Sequence, residues 1–124
     1  MPLKYNIAEQ EQQAVITADG SVTMTGLNAF IQQVPADPRF RPHYTVILDL
    51  RTANYVADFE DGEKLAAVLK QKRTDFQNKF AVVVPDELYL LAKLYCVMSR
   101  MGGFEKIQCF NDLEQAHAWC RSTQ

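Results

Sequence analysis

Three cysteines, two histidines and a short run of carboxylates are the side chains in this chain whose types could do chemistry. Cys96 with His43 or His117 would make a thiol–imidazole pair, in which the ring removes the thiol proton and leaves a nucleophile. No local pattern supports that pair. His117 recurs with Leu113, Ala116 and Cys120 at helical spacing and reads as a packing histidine, while His43 follows Pro42 in a loop. Asp58, Glu60, Asp61 and Glu63 offer oxygen ligands for a divalent cation. Carboxylates at the start of a helix also stabilise its positive end without any ligand, and no His or Cys lies beside them. The cluster therefore reads as helix-terminal charge. Cys96, Cys109 and Cys120 are spaced too widely for a zinc motif, and an odd count without a signal peptide argues against a disulfide framework. They read as reduced, buried thiols.

Asp49 and Arg51, at the end of an apolar run, form with Asp58 a candidate strand-end site, because open α/β sheets bind ligands beyond the carboxyl ends of their strands. The same Asp-Leu-Arg order suits a carboxylate that holds its own loop. Gly102-Gly103 follows a helical stretch instead of preceding one, so no phosphate-cradling loop is present and no cofactor is expected. Lys70, Lys72 and Arg73 form the densest basic run. At the end of a helix they complement its dipole, and with a net charge of -2 and tyrosines scattered without basic interleaving, nucleic acid is not an expected partner.

The elements that must position these residues follow from periodicity. A length of 124 residues, 48% hydrophobic and 23% charged, supports one core and one domain spanning 1–124. Residues 1–13 contain no apolar signal-peptide segment and no apolar run approaches the ~20 residues that span a bilayer, so a cytoplasmic protein is expected. Tyr5–Ala8 and Ala14–Ala18 bracket a polar turn and read as a hairpin closed by Asp19-Gly20. Thr23 or Thr25 caps a helix carrying Leu27, Phe30, Ile31 and Val34, which Pro35 and Pro38 stop. Thr45–Leu50 and Phe80–Val84 are β-branched, apolar runs typical of strands buried on both faces. Helices are expected over Glu60–Lys72 and Glu87–Met101, then a strand over Lys106–Phe110 and a final helix capped by Asn111-Asp112. Trp119 on that last helix should be largely buried against the sheet. Alternating strands and helices call for right-handed crossovers, giving an α/β fold with a mixed, largely parallel sheet, an N-terminal antiparallel hairpin and about four helices.

Three segments carry a family resemblance. Phe40-Arg41-Pro42 leading into Val46–Arg51, Phe80–Val83, and above all Cys109–Trp119 with Asp112, Leu113, Glu114, Ala116 and Trp119 resemble the SpoIIAA-like branch of the STAS-like fold, relatives of bacterial anti-sigma-factor antagonists. The resemblance implies a non-enzymatic domain. Those antagonists place a phosphorylatable Ser at the start of the helix after the central strand, where charge and helix terminus make a switch. Here residues 53–73 contain no Ser or Thr, so that switch does not carry over.

The helix over Glu87–Met101 is the feature left over. At about 100° per residue, Leu88, Leu91, Ala92 and Tyr95 project together, Leu90, Leu94, Val97 and Met101 form an adjoining stripe, and Met98 falls between. The apolar arc spans about 200°, where packing on a sheet needs little over 100°. The excess must meet the preceding helix, a ligand or another chain. Leu90, Leu94, Val97, Met98 and Met101 are thus the candidate partner or ligand surface. The expected function is a regulatory or scaffolding module that binds a protein partner or its own copy. A carrier of a small apolar or lipid-like molecule is the alternative, and an enzyme with an unrecognised site is the weaker one.

Overall fold

The computed structural model describes residues 3–54 and 59–122, and of residues 59–62 the backbone alone. Strands β1 (Leu3–Ala8) and β2 (Gln13–Ser21) form the antiparallel hairpin, in register from Leu3 opposite Ala18 to Ala8 opposite Gln13. Gln12 closes the turn in a left-handed conformation, φ 54°. Helix α1 (Met24–Gln33) starts where Thr23 Oγ1 accepts the amide of Gly26 at 3.0 Å, so the cap is Thr23 and not Thr25. A 3₁₀ turn at Val34–Ala36 takes up Pro35. Then follow β3 (Thr45–Asn54), α2 (Phe59–Gln71), β4 (Phe80–Val83), α3 (Tyr89–Met101), β5 (Ile107–Phe110) and α4 (Leu113–Arg121).

The five strands lie in sequence order, β1-β2-β3-β4-β5, with β2 to β5 parallel. The molecule is therefore α/β with a mixed sheet and four helices. Alternate residues of the parallel strands serve opposite faces. Ile16, Leu48 and Val82 meet Leu27, Leu69 and Cys96 of α1, α2 and α3, while Ile47, Ala81 and Val83 meet Ala116 and Cys120 of α4. At one end of the first layer, Tyr44, Phe40, Phe76, Phe80 and Phe104 form a chain of edge-to-face rings with centroids 5.4–5.8 Å apart.

Four sequence expectations change. Strand β2 does not end at Asp19-Gly20: the register shifts between Thr17 and Asp19, Gly20 takes φ 79°, and the strand continues beside β3 to Ser21. Strand β3 likewise runs on to Asn54 because β2 accompanies it, although β4 pairs with it only as far as Asp49. The helix expected from Glu87 opens as a 3₁₀ turn over Asp86–Leu88 before α3 proper. Trp119 is half-buried, not largely buried, because its ring lies at the margin of the α4 layer, tilted on Phe110 at 5.6 Å.

Lys79 does what no sequence pattern announced. Its side chain is buried at the foot of β4, and its ammonium donates to the carbonyls of Trp119 at 2.8 Å and Ser122 at 2.9 Å and to Ser122 Oγ at 2.5 Å. It also lies 5.3 Å from the Trp119 ring centroid. A cation placed on the last carbonyls of α4 satisfies acceptors that a helix end leaves open.

Candidate functional site

The exposed stripe on α3 is the most unusual surface of the described residues. Leu90 is 80% exposed, Leu94 42%, Val97 45% and Met101 83%. Ala92, Tyr95, Cys96 and Ser99 are buried, and Ser99 Oγ satisfies itself on the Tyr95 carbonyl at 3.0 Å. At 100° per residue the buried set and the exposed stripe point in opposite directions, so the stripe faces away from the sheet. Leu91 and Met98 are half-buried between them. Packing against α2 therefore absorbs only that intermediate part of the apolar arc. Cys96 turns into the core, buried in the layer that also holds Cys109 of β5.

The other helices give the comparison. The exposed positions are Thr25, Ala29, Gln32 and Gln33 on α1, Glu63, Lys64, Ala67, Lys70 and Gln71 on α2 from residue 63 onward, and Glu114, Gln115, Ala118 and Arg121 on α4. Those faces are solvated in the ordinary way, whereas α3 presents large apolar groups. Its cations stand aside: Lys93 Nζ lies 5.0 Å over the Tyr89 ring, and Arg100 Nε donates to the Ile107 carbonyl at 2.9 Å.

Beneath α3, between helices and sheet, lies an apolar cavity of about 40 Å³ lined by residues including Leu65, Leu91, Ala92, Tyr95 and Cys96. Ligand pockets start at roughly 300 Å³, so this space matches a molecule of about the size of water.

The structure places Asp49 and Arg51 together but not as an open site. Arg51 Nε and Nη2 each donate to Asp49 at 2.9 Å, and the Arg51 amide donates to it at 3.1 Å. Burial pushes the Asp49 carboxyl up, and the Arg51 side chain and amide outweigh it, holding the group below its usual value. Asp49 also lies within β3 and not at its end, since β3 continues to Asn54. Asp58, the third member of that candidate site, lies outside the described residues, as do the side chains of Glu60 and Asp61. A twin of this motif was missed in sequence: Arg39 grips Asp37 through Nε at 3.1 Å and Nη2 at 2.9 Å, and Tyr5 Oη donates to the same carboxylate at 2.8 Å. The shared Asp-x-Arg spacing was the available signal.

The thiol–imidazole pair is not assembled. Cys96 packs in the α1–α3 layer, whereas His117 is on α4 across the sheet. His43 and His117 do share a cleft of about 530 Å³ with Cys120, but burial pushes that thiol up to about 11, away from a nucleophilic state. Among the described residues, no group of three or more His, Cys, Asp or Glu is placed to hold a metal, and no helix is long and apolar enough to cross a membrane. No family model matches the chain, and no curated protein matches it.

Proposed function

We propose that the protein is a non-enzymatic docking module of regulatory or scaffolding type that associates with a second copy of itself through the outer face of α3. The observation that carries this reading is the exposure of Leu90, Leu94, Val97 and Met101 on one stripe. Together they leave roughly 300 Å² of contiguous apolar surface, the size of patch that on monomers is often functional. A standard interface uses about 800 Å² per partner, and a central apolar cluster with a neutral rim is its usual energetic core. Leu91, Met98 and Tyr89 supply such a rim.

The spacing of the stripe favours a second copy over an unrelated chain. From Leu90 the steps are four, three and four residues, a series that reads the same in both directions. A two-fold axis midway between Leu94 and Val97 sets Leu90 on Met101 of the second copy and Leu94 on its Val97. Lys93 and Arg100 border the stripe on the β5 side, where Lys93 lies over the Tyr89 ring and Arg100 donates to the Ile107 carbonyl, so the four apolar residues of the stripe itself carry no charge. Membership in the SpoIIAA-like branch of the STAS-like fold belongs to the same proposal, supported by the element order and by the Asp112-capped α4.

Leu94→Asp tests the reading. Sedimentation and native mass spectrometry should find a dimer in the wild type at micromolar concentration and a folded monomer in the variant, a loss of at least 100-fold in association. A wild-type monomer up to about 100 µM would refute self-association. A wild-type monomer that retained a small apolar molecule would favour the carrier reading.

A further inference from the structure

We propose that the cleft at the amino ends of the parallel strands binds a small zwitterion, a free amino acid or dipeptide whose carboxylate meets Arg121 and whose ammonium meets Glu11. The cleft measures about 530 Å³, inside the range of roughly 300–1,000 Å³ in which small-molecule pockets fall. Three chain segments converge on it because β2, β3 and β4 are parallel neighbours that all begin at this end. Gln13 and Thr45 open β2 and β3, and Asn78 lies just before β4. Helix α4 supplies the remaining wall. Lys79 at the foot of β4 holds the carbonyls of Trp119 and Ser122, which brings the last turn of the helix to the strand starts. His117, Cys120 and Arg121, three and four residues apart, share the helix face that lines the cleft.

The walls are fixed by bonds of the chain to itself. The Thr45 amide donates to the Gln12 carbonyl at 3.0 Å, the Gln77 amide to the Pro42 carbonyl at 2.9 Å, and Asn78 Nδ2 to the His43 carbonyl at 2.7 Å. These tie the hairpin turn to the start of β3, and the loop before β3 to the loop before β4. Gln13 Nε2 donates to Thr45 Oγ1 at 3.2 Å on the floor, where Thr45 and Cys120 are buried. Gln12 keeps a side chain in the cleft at φ 54°, a conformation that glycine adopts more readily. Two charges of opposite sign line this space from different elements, Glu11 from the hairpin turn and Arg121 from the end of α4. Among the described residues neither side chain has a hydrogen-bond or ion-pair partner, and the two do not pair with each other. Apart from the two imidazoles, the remaining lining groups are uncharged. A ligand of a single charge would leave Glu11 or Arg121 opposed, whereas a zwitterion meets both, its carboxylate matching the planar guanidinium. The imidazoles of His43 and His117 and the amides of Gln12, Gln13 and Asn78 supply further donors and acceptors, the kind of groups that fix a ligand's orientation.

The test titrates the full isotope-labelled chain with the common free L-amino acids, in pools and then singly, and with L-alanyl-L-glutamine, following backbone amide resonances by NMR. Saturable shifts are expected at Gln12, Thr45, Asn78 and Arg121, with a Kd below about 1 mM for at least one of these zwitterions. Whether a free amino acid or the dipeptide binds more tightly identifies the source. The N-acetyl derivative of the tighter ligand lacks the ammonium and its amide derivative lacks the carboxylate; each should bind at least about 10-fold more weakly. Arg121→Gln and Glu11→Gln should each weaken the parent ligand to a similar degree. Both residues are exposed, so the variants should fold, and unchanged resonances away from the cleft show that they do. No saturable shift at the cleft up to about 10 mM, an N-acetyl derivative that binds as tightly as its parent, or two variants that bind like the wild type would each overturn the proposal. The cleft lies on the α4 side of the sheet, across from α3, so Leu94→Asp should retain the ligand, and failure of this site is read apart from failure of self-association.

Discussion

Replacing Lys79 by Met keeps most of the buried stem and removes the ammonium that closes the end of α4. The lost interactions are three hydrogen bonds, to two carbonyls and one hydroxyl, and a cation over Trp119. Bonds from charged donors each contribute about 1.5–3 kcal/mol, and a cation at a helix C-terminus about 0.3–2 kcal/mol. Those figures do not add, because the three bonds share one ammonium. Ser122 is exposed and water can replace part of what is lost. The variant also escapes the desolvation of a buried charge, which opposes the native arrangement by several kcal/mol. The net expectation is a destabilisation of about 2 kcal/mol, a shift in Tm of roughly 6–10 °C for a chain of this size. Urea unfolding followed by fluorescence suits the question, since Trp119 is the single tryptophan and stands beside the replaced group. The midpoint should fall with an unchanged slope. A shift below about 0.5 kcal/mol, or a gain in stability, would show that the buried ammonium costs as much as its bonds return, and the capping argument would fail.

Phe80 is fully buried between the rings of Phe76 and Phe104, at 5.4 and 5.7 Å, so Phe80→Ala should cost about 3–5 kcal/mol in denaturant unfolding and Phe80→Leu clearly less; equal costs would mean that the ring chain adds nothing beyond volume. Asp37 is held below its usual value by the Arg39 side chain, then the Arg39 amide and the Tyr5 hydroxyl, as Asp49 is held by Arg51 against the effect of burial. Folded values below unfolded ones mean that this stability is present above about pH 4 and is lost as pH falls further, so Asp37→Asn and Asp49→Asn should differ from wild type most at neutral pH and converge with it in acid; a difference independent of pH would refute the linkage.

The order of strands and helices was legible from the amino-acid sequence because local patterns encode it: the apolar runs at 45–50 and 80–84, Thr23 and Asp112 as caps, and Pro35 and Gly102-Gly103 as stops. The sequence also singled out α3, since an apolar arc of about 200° is a property of spacing alone. What it did not contain was the use of that arc. Whether α2 would cover Leu90, Leu94, Val97 and Met101 depended on how two helices settle on a twisted sheet, and only the tertiary structure leaves the four exposed. The extents of β2 and β3 were decided in the same way, by each strand finding the other beyond Asp49 and overriding the turn signal of Asp19-Gly20. The bonds of Lys79 to the end of α4 and of Tyr5 to Asp37 join residues from 32 to 43 positions apart in sequence. Such contacts have no local period. They exist because a parallel sheet brings the ends of distant strands and helices together, and burial then makes the chemistry of those few side chains depend on one another.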